Sequence, residues 1–304
     1  MPLYNKRPYV RRAVESVLNQ SFSNWEMIVI DDGSTDGSPD EIPREDQRIK
    51  LYHQENSGPG AARNRGIRQA QGEYVTFLDA DDYYYPDKLK VEMKLLHEER
   101  RSQWMMSTFE YEMNGTVTKK NIFDINGREL EAKPQVFEDA LRQVLLSGWA
   151  PHGLCIRKDL LESIGCYRED MLWLEITELH IRCALVEPKI LILPKPLFRV
   201  VGIADSISRV ESRRTEGMRQ MGEILYELSN DYPAYADILI HKSKQKFISY
   251  IAKLLLSGEK AKARQFLNNN YPYEHDTEWW QMIFGSWMPN QILQFIISKR
   301  KLAN

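Results

Sequence analysis

Apolar and polar positions alternate along the first 110 residues in blocks that are typical of strands and helices. The apolar run within 25–30 ends at the turn Asp31-Asp32-Gly33, which is typical of a buried strand. Two further strands are predicted at 48–53 and 73–78. Apolar residues recur at helical spacing in the segments between them, which predicts helices at 6–20, 60–70 and 86–99. This alternation predicts an α/β domain in which helices sandwich a mainly parallel sheet.

The pattern changes twice further along the chain. Between residues 102 and 205 it is less regular, with strand-like pieces at 105–111, 115–120 and 189–194. We interpret this stretch as the second half of the same domain, which gives a first domain of 1–205. From residue 206 the apolar residues fall at helical spacing and few β-branched runs occur. The sequence therefore predicts a helical C-terminal region at 206–304.

Acidic turns follow two of the predicted strands. Asp31 and Asp32 follow the first, and the turn Asp79-Ala80-Asp81-Asp82 follows the third. Ligands of open α/β sheets bind outside the carboxyl ends of the strands, so these carboxylates are predicted to gather at one rim. Three carboxylates within four residues repel one another unless they share a cation, and such oxygen ligands suit Mg²⁺ or Mn²⁺. A solvated turn that caps the following helix is the alternative interpretation.

The bulk composition excludes several classes of function. The net charge of −2, from 41 basic and 43 acidic residues, gives no electrostatic footprint for nucleic acid. Three cysteines without CxxC spacing predict free thiols in a reducing compartment, not a disulfide framework or a zinc site. No apolar signal or membrane-spanning run is seen, which predicts a cytoplasmic location. Gly58-x-Gly60 is followed by Arg63 where a dinucleotide-binding loop has its third glycine, which disfavours a nicotinamide enzyme.

Several ordered segments together resemble glycosyltransferase family 2, whose members have the GT-A fold. They are 2–5, 14–22, 29–36, 56–66 and 72–82, with a looser match that extends to about residue 205. The resemblance implies inverting transfer of a sugar from a nucleotide-sugar, commonly a UDP-sugar, to a hydroxyl of a glycan acceptor. Synthesis of a cell-surface polysaccharide, with a lipid-linked glycan as one form of acceptor, is the setting it favours.

The resemblance also implies roles for particular residues. Asp32 corresponds to the residue that binds the base of the donor, and Asp79 to the residue nearer the ribose. Asp81 corresponds to the ligand of the divalent metal, Mn²⁺ or Mg²⁺, which acts as a Lewis acid on the departing nucleoside diphosphate. Arg63 is a candidate for contact with the nucleotide or its phosphates. Pro2 and Tyr4 belong to the first donor-binding segment.

The sequence departs from the family pattern in two places. The apolar strand that normally precedes the position of Pro2 is missing, and because this strand lies in the middle of the sheet, its absence is expected to leave backbone groups unpaired. The catalytic aspartate that normally follows a glutamate is replaced by Ile176. We therefore predict Glu175 as the substitute base, although an adjacent helical residue points about 100° away.

These departures leave other functions open. A catalytically impaired relative, which binds a nucleotide-sugar or a partner transferase without turnover, is the main alternative. A sugar-phosphate nucleotidyltransferase is disfavoured because the sequence lacks a Gly-rich, Lys-containing N-terminal loop. His152 is a candidate for the acceptor side, against an ordinary structural histidine.

The segment 290–301 combines apolar residues with three consecutive cations. That composition suits a helix lying on an anionic membrane surface, which predicts peripheral contact with the inner face of the membrane. An apolar helix packed onto the rest of the protein is the alternative.

Overall fold

The computed structural model describes residues 1–100, 102–118, 133–146, 153–202, 210–268 and 286. The chain forms two compact units. The first comprises Met1–Met171 and Glu175–Ser206, and the second comprises Leu172–Leu174 and Ile207–Asn304.

The first unit mixes strands and helices in the alternation that the sequence predicts. Its strands are β1 (Pro2–Leu3), β2 (Met27–Asp31), β3 (Ile49–His53), β4 (Tyr74–Thr76), β5 (Tyr83–Tyr84), β6 (Trp104–Met113), β7 (Thr116–Thr118), β8 (Gln135–Phe137), β9 (Leu154–Arg157) and β10 (Ile190–Gly202). Its helices are α1 (Arg7–Leu18), α2 (Pro59–Gln69), α3 (Lys88–Glu98), α4 (Ala140–Leu146), α5 (Lys158–Ser163) and α6 (Glu175–Val186). The prediction of an α/β fold is confirmed.

The strands fall into two sheets. The first has the order β1-β2-β3 and is parallel, with Pro2 opposite Ile30 and Met27 opposite Ile49. The second has the order β4-β9-β6-β10-β5, with β7 on β6 and β8 on β10. In the second sheet β10 is parallel to β6, whereas the other pairs are antiparallel. The predicted parallel arrangement is therefore found in the first sheet, and the second sheet is mixed.

The chain begins with a short strand, β1, at the place where the sequence lacks the apolar strand of the family. β1 contains two residues, and the carbonyl of Met1 also accepts a hydrogen bond from the Ile30 N–H at 3.0 Å. These residues form backbone hydrogen bonds with the edge of β2 and thereby extend the first sheet. β1 pairs with β2 but not with β4, so no strand in the described part of the chain joins the two sheets.

A buried core lies beneath the first sheet. Helix α1 has Pro8 in its first turn, as helices prefer, and directs Val10, Val14 and Val17 into this core. Val29 of β2 packs there with them. This packing fixes the carboxyl end of β2 and the start of α1, between which the candidate site is built.

The second unit is helical, as predicted for the C-terminal region. It contains α7 (Glu211–Asp231), α8 (Ala236–Leu256) and α9 (Lys260–Asn268). Gly222 of α7 lies against Phe247 of α8, and a Cβ at position 222 would come within 2.4 Å of that ring. A side chain at position 222 would therefore have to displace the Phe247 ring.

Two further findings concern membranes and cysteines. Within the described ranges, the helices are too short or too polar to cross a membrane.

Cys155, Cys166 and Cys183 are free thiols, as predicted. The segment 290–301, predicted to contact a membrane, lies outside the described residues.

Candidate active site

The acidic turn follows β4, and each of its aspartates has a different partner. The Asp79 carboxylate accepts a hydrogen bond from Arg63 at 2.8 Å, and the Asp81 carboxylate lies 2.8 Å from the Lys6 ammonium. Buried Asp82 accepts a hydrogen bond from the Val201 backbone N–H at 2.7 Å. Two protein cations and one backbone amide thus relieve the mutual repulsion of three neighbouring carboxylates.

The segment 1–6 connects this turn with the loop after β2. The N–H of Asp32 donates to the carbonyl of Leu3 at 2.8 Å, and the Asn5 side chain accepts a hydrogen bond from the Thr35 N–H at 2.8 Å. The same segment reaches Asp81 through Lys6. Both acidic turns therefore lie beside one short segment at the same end of the unit.

Asp32 holds the loop that precedes α2. Its carboxylate accepts hydrogen bonds from the side chain of Gln54 and from the backbone N–H groups of Ser57 and Gly58, at 2.8, 2.8 and 2.9 Å. Gly58 has a φ of +89°, a conformation that glycine adopts without a steric penalty. A carboxylate offers about four acceptor positions, so three of those of Asp32 are occupied by its own chain. This structural role is one that the sequence did not indicate.

Arg63 joins two carboxylates that are far apart in the sequence. Its guanidinium is 3% exposed and donates to Asp79 at 2.8 Å and to Glu175 at 2.9 Å. Burial opposes its charge, but the negative charges of Asp79 and Glu175 beside it raise the pKa of Arg63 above its usual range. A buried guanidinium engaged in this way is placed to orient the two carboxylates, whereas the sequence predicts direct contact with the nucleotide.

Glu175, the predicted base, is the first residue of α6. Leu174 before it has a φ of +68°, which is uncommon for a residue with a branched side chain. The Glu175 side chain is 13% exposed, and its contact with Arg63 brings it to the same guanidinium as Asp79. The helix start is therefore irregular at Leu174, and the Glu175 carboxylate meets Arg63, which also contacts the acidic turn.

The other carboxylates near Glu175 in the sequence have separate partners. Glu178 is buried and paired with Arg182 at 2.6 Å, and Glu169 accepts a hydrogen bond from Asn64 at 2.8 Å. Ile176 is half-buried and cannot accept a proton. Among these residues, Glu175 is therefore the carboxylate that shares a partner with the acidic turn.

Two supporting contacts were not predicted from the sequence. The Asn64 side chain forms two hydrogen bonds with the backbone of Tyr167, each of 2.8 Å, which tie α2 to the segment before α6. Tyr84 donates a hydrogen bond to the carbonyl of Phe77, just before the acidic turn. Asn64 and Tyr84 are close in the sequence to predicted site residues. The spacing of residues in the sequence does not indicate the backbone groups with which their side chains form hydrogen bonds.

The remaining predicted site residues differ in placement. Pro2 lies in β1, and Tyr4 is 38% exposed between β1 and α1. His152 lies outside the described residues.

A cavity of about 1320 Å³ lies between β2 and β4. Of the predicted site residues, Arg63 is in the lining of this cavity.

The sequence matches the model of a known family. The model described as "Glycosyl transferase family 2" matches residues 1–165, which confirms the resemblance. A Bacillus subtilis protein described as "Putative teichuronic acid biosynthesis glycosyltransferase TuaG" is 46% identical over 101 residues, which are 32% of this chain and 40% of that protein. The chain spans at most half of the length of the curated relatives it matches.

Solved structures show the same fold at low sequence identity. S. aureus TarS 1–349 in complex with UDP-GlcNAc has a TM-score of 0.62 and 21% identity, covering 92% of this chain and 77% of that one. Mannosyltransferase PcManGT from Pyrobaculum calidifontis, in complex with GDP-Man and Mn²⁺, has a TM-score of 0.60 and 18% identity, covering 95% and 85%. These likenesses confirm the predicted GT-A fold.

Proposed function

The chain belongs to glycosyl transferase family 2, and from that premise we propose that it transfers a sugar from a UDP-sugar to a hydroxyl of a glycan acceptor, with inversion. The observation that carries this proposal is the contact of Arg63 with both Asp79 and Glu175. It brings a carboxylate of the donor side and a candidate base to one guanidinium. Such an arrangement suits a displacement in which one carboxylate is on the donor side and the other accepts the proton of the acceptor hydroxyl.

We further propose that a divalent cation binds at the acidic turn. The Asp81 carboxylate there already faces a cation, the Lys6 ammonium at 2.8 Å, and carboxylate oxygen is the ligand that Mg²⁺ and Mn²⁺ prefer. No cluster of three potential ligand side chains occurs in the described ranges, so Asp81 would hold the cation with waters and the donor phosphates. When bound, the cation supplies a Lewis acid for the leaving nucleoside diphosphate. The Mn²⁺ in the PcManGT complex supports this assignment.

We propose a separate role for each of the other site residues. In this proposal Asp79 contacts the ribose and Asp32 the base of the donor, and exposed Tyr4 belongs to the same donor-binding set. Asp32 keeps the loop before α2 in position through its contacts with Ser57 and Gly58. Glu175 accepts the proton of the acceptor hydroxyl, which is too weak an acid to ionise at neutral pH. Arg63 is a positioning residue for Asp79 and Glu175.

The donor and the setting rest on the relatives. TarS is in complex with UDP-GlcNAc, which favours a UDP-sugar as donor. The name of TuaG refers to teichuronic acid biosynthesis, which favours an acceptor within a cell-surface polysaccharide. We place the reaction in the cytoplasm, where nucleotide-sugars are made, with a glycan or lipid-linked glycan as acceptor. Contact of 290–301 with a membrane surface is part of the same proposal.

A transfer assay tests the proposed function. The protein is incubated with Mn²⁺ and a panel of UDP- and GDP-sugars, and release of the nucleoside diphosphate is measured with and without glycan acceptors. We expect turnover with a UDP-sugar, and a loss of about a hundredfold in Asp81→Asn. Asp40→Asn, which changes an exposed carboxylate of the same unit, is the matched control. Equal turnover in Asp81→Asn and Asp40→Asn would refute the role of Asp81.

A second candidate function is favoured by one observation. Ile176 replaces the expected aspartate, and the Glu175 carboxylate is already paired with Arg63. A chain that binds the donor but has no effective base would be a binding partner for another transferase. Saturable binding of a UDP-sugar without release of UDP, across the whole acceptor panel, would favour this function over transfer.

A further inference from the structure

Lys6 is held in a fixed place beside the acidic turn. Its backbone N–H donates to the Ser38 hydroxyl at 2.7 Å, and Asn5 before it has a φ of +50°. Its ammonium lies 2.8 Å from the Asp81 carboxylate, and the two side chains are only 14% and 15% exposed. The contact is thus a partly enclosed ion pair with a backbone that is tied down.

The stability of helix α1 does not explain a lysine at this position. Lys6 precedes the first turn of α1, and residues 7–10 contain no acidic side chain. The N-terminus of a helix carries a partial positive charge, so a cation there is unfavourable. The helix end has its own anion, because the Asp36 carboxylate accepts a hydrogen bond from the Arg7 N–H at 3.0 Å, and the Asp81 carboxylate is the partner of the Lys6 ammonium.

We propose that Lys6 is the counter-ion of Asp81 in the donor-free protein, and that a divalent cation must displace its ammonium. The inference rests on the proposed function, because it takes Asp81 as the ligand of the cation. A divalent cation that binds alone leaves the Lys6 ammonium without its partner and beside a like charge. A nucleoside diphosphate that arrives with the cation gives the ammonium a new anionic partner and gives the cation further oxygen ligands.

Lys6 therefore makes the binding of cation and nucleotide interdependent. The cation binds weakly to the donor-free protein and more tightly together with the diphosphate. By reciprocity, the diphosphate binds more tightly in the presence of the cation by the same factor. Lys6 thereby acts as a positioning residue that keeps a lone divalent cation from occupying the site.

Binding of Mn²⁺, measured by electron paramagnetic resonance with and without UDP, tests this inference. Lys6→Met removes the charge and keeps an aliphatic stem, and Lys6→Arg keeps the charge. We expect Lys6→Met to bind Mn²⁺ alone about three- to tenfold more tightly than the parent, the size expected when a partly exposed ion pair no longer competes. The factor by which UDP tightens Mn²⁺ binding should fall correspondingly in Lys6→Met and persist in Lys6→Arg.

The matched control is Arg11→Met, which removes a charge from α1 at a residue that is 70% exposed and paired with Glu15. It should leave the Mn²⁺ dissociation constant unchanged. If Lys6→Met and the parent bind Mn²⁺ equally well while Asp81→Ala binds it less well, the role of Lys6 is refuted and the metal site stands. If the parent and Asp81→Ala do not differ in Mn²⁺ binding, the metal site is refuted, and the inference about Lys6 with it. Thermal unfolding of each variant confirms that it is folded.

Discussion

Arg63 is the residue on which the geometry of the candidate site depends. It is buried and compensates Asp79 and Glu175 at once. Removing one partner of a buried ion pair typically costs about 3–5 kcal/mol, because the remaining charge is left without compensation. A variant of Arg63 would therefore confuse loss of folding with loss of function. Glu175 and Ile176 are better positions at which to test the catalytic assignment.

We predict that Ile176→Asp increases the rate of sugar transfer. A carboxylate at this position restores the base that the family pattern has there, and general-base catalysis contributes about 10²–10⁴-fold to a rate. Glu175→Gln is expected to lower the rate, since an amide cannot accept the proton. Single-turnover transfer from the UDP-sugar to the acceptor measures both effects.

Thr177→Asp is the control for this prediction, because it places a carboxylate one residue further along the same helical turn, pointing about 100° away. It should not increase the rate. A transfer rate that is the same in Ile176→Asp and the parent, and is lost in Glu175→Gln, would show that Glu175 already serves fully as the base.

His180 is predicted to make the protein sensitive to acid. Burial lowers the pKa of its imidazole from 6.5 to about 3, and neither ring nitrogen has a hydrogen-bond partner among the described residues. Between these two pH values the unfolded chain binds a proton that the folded protein does not. Stability therefore falls as the pH falls below about 6.5, and at pH 5 this residue alone accounts for about 2 kcal/mol.

Thermal unfolding of His180→Leu at pH 7.5 and pH 5.0 tests this prediction. The loss of stability between the two pH values should be smaller in the variant than in the parent. His97→Leu, at an exposed histidine, should show the parent's dependence on pH. An unchanged dependence in His180→Leu would contradict the assignment.

The sequence indicates candidate residues where a motif is local, but it does not indicate the contacts between distant segments. Asp79 and Asp81 follow directly from their place after a strand. The partners of these residues do not, because Arg63 and Glu175 are 112 positions apart and no spacing rule links them. Lys6 is not indicated as a site residue by the sequence, because a lysine before a helix is not part of any local motif. Its place in the site depends on the contact with Asp81.

Among the elements, those with a clear period were predicted and those that depend on distant pairing were not. The strands β2 and β3 and the helices α1 and α2 lie close to their predicted positions. β5 has two residues and pairs with β10 more than 100 positions later, so its own sequence contains too little information to predict it. The antiparallel partners in the second sheet were missed for the same reason, since periodicity predicts a strand but not its neighbour.

Helix α2 offers a prediction about the cavity between β2 and β4. Gly66 lies in α2 and in the lining of that cavity, and a Cβ there would meet Ile30 at 3.6 Å, an ordinary contact. Alanine has a higher helix propensity than glycine by about 1 kcal/mol. Gly66→Ala should therefore raise the free energy of unfolding by about 0.5–1 kcal/mol, as measured by chemical denaturation.

Gly60→Ala is the matched control in the same helix. A Cβ at Gly60 would lie 3.3 Å from the backbone carbonyl of Arg168, which is tighter than an ordinary contact. This variant should be no more stable than the parent. A destabilised Gly66→Ala would show that the helix packs more closely against the cavity wall than the structure indicates.

For the chain as a whole, the fold and the family were predictable and the substrates were not. The motifs between residues 2 and 82 are local, ordered and specific in combination, and the family model covers the same stretch. In the proposed reaction, the donor sugar and the acceptor would be selected by side chains that converge from separate segments, as Arg63, Asp79 and Glu175 do in this structure. Such convergence is a property of the folded first unit and is not encoded in the spacing of any one motif.

The measurement that tests the central claim most directly is thermal unfolding with UDP and Mn²⁺, separately and together. One cation shared by Asp81 and the diphosphate makes the two binding energies interdependent. We predict that UDP and Mn²⁺ together stabilise the parent by more than the sum of their separate effects, and that Asp81→Ala removes this excess while a weaker effect of UDP alone remains. Stabilisation that is merely additive in the parent, or an equal excess in the parent and in Asp81→Ala, would contradict the claim that Asp81 holds the cation of a nucleotide-sugar donor.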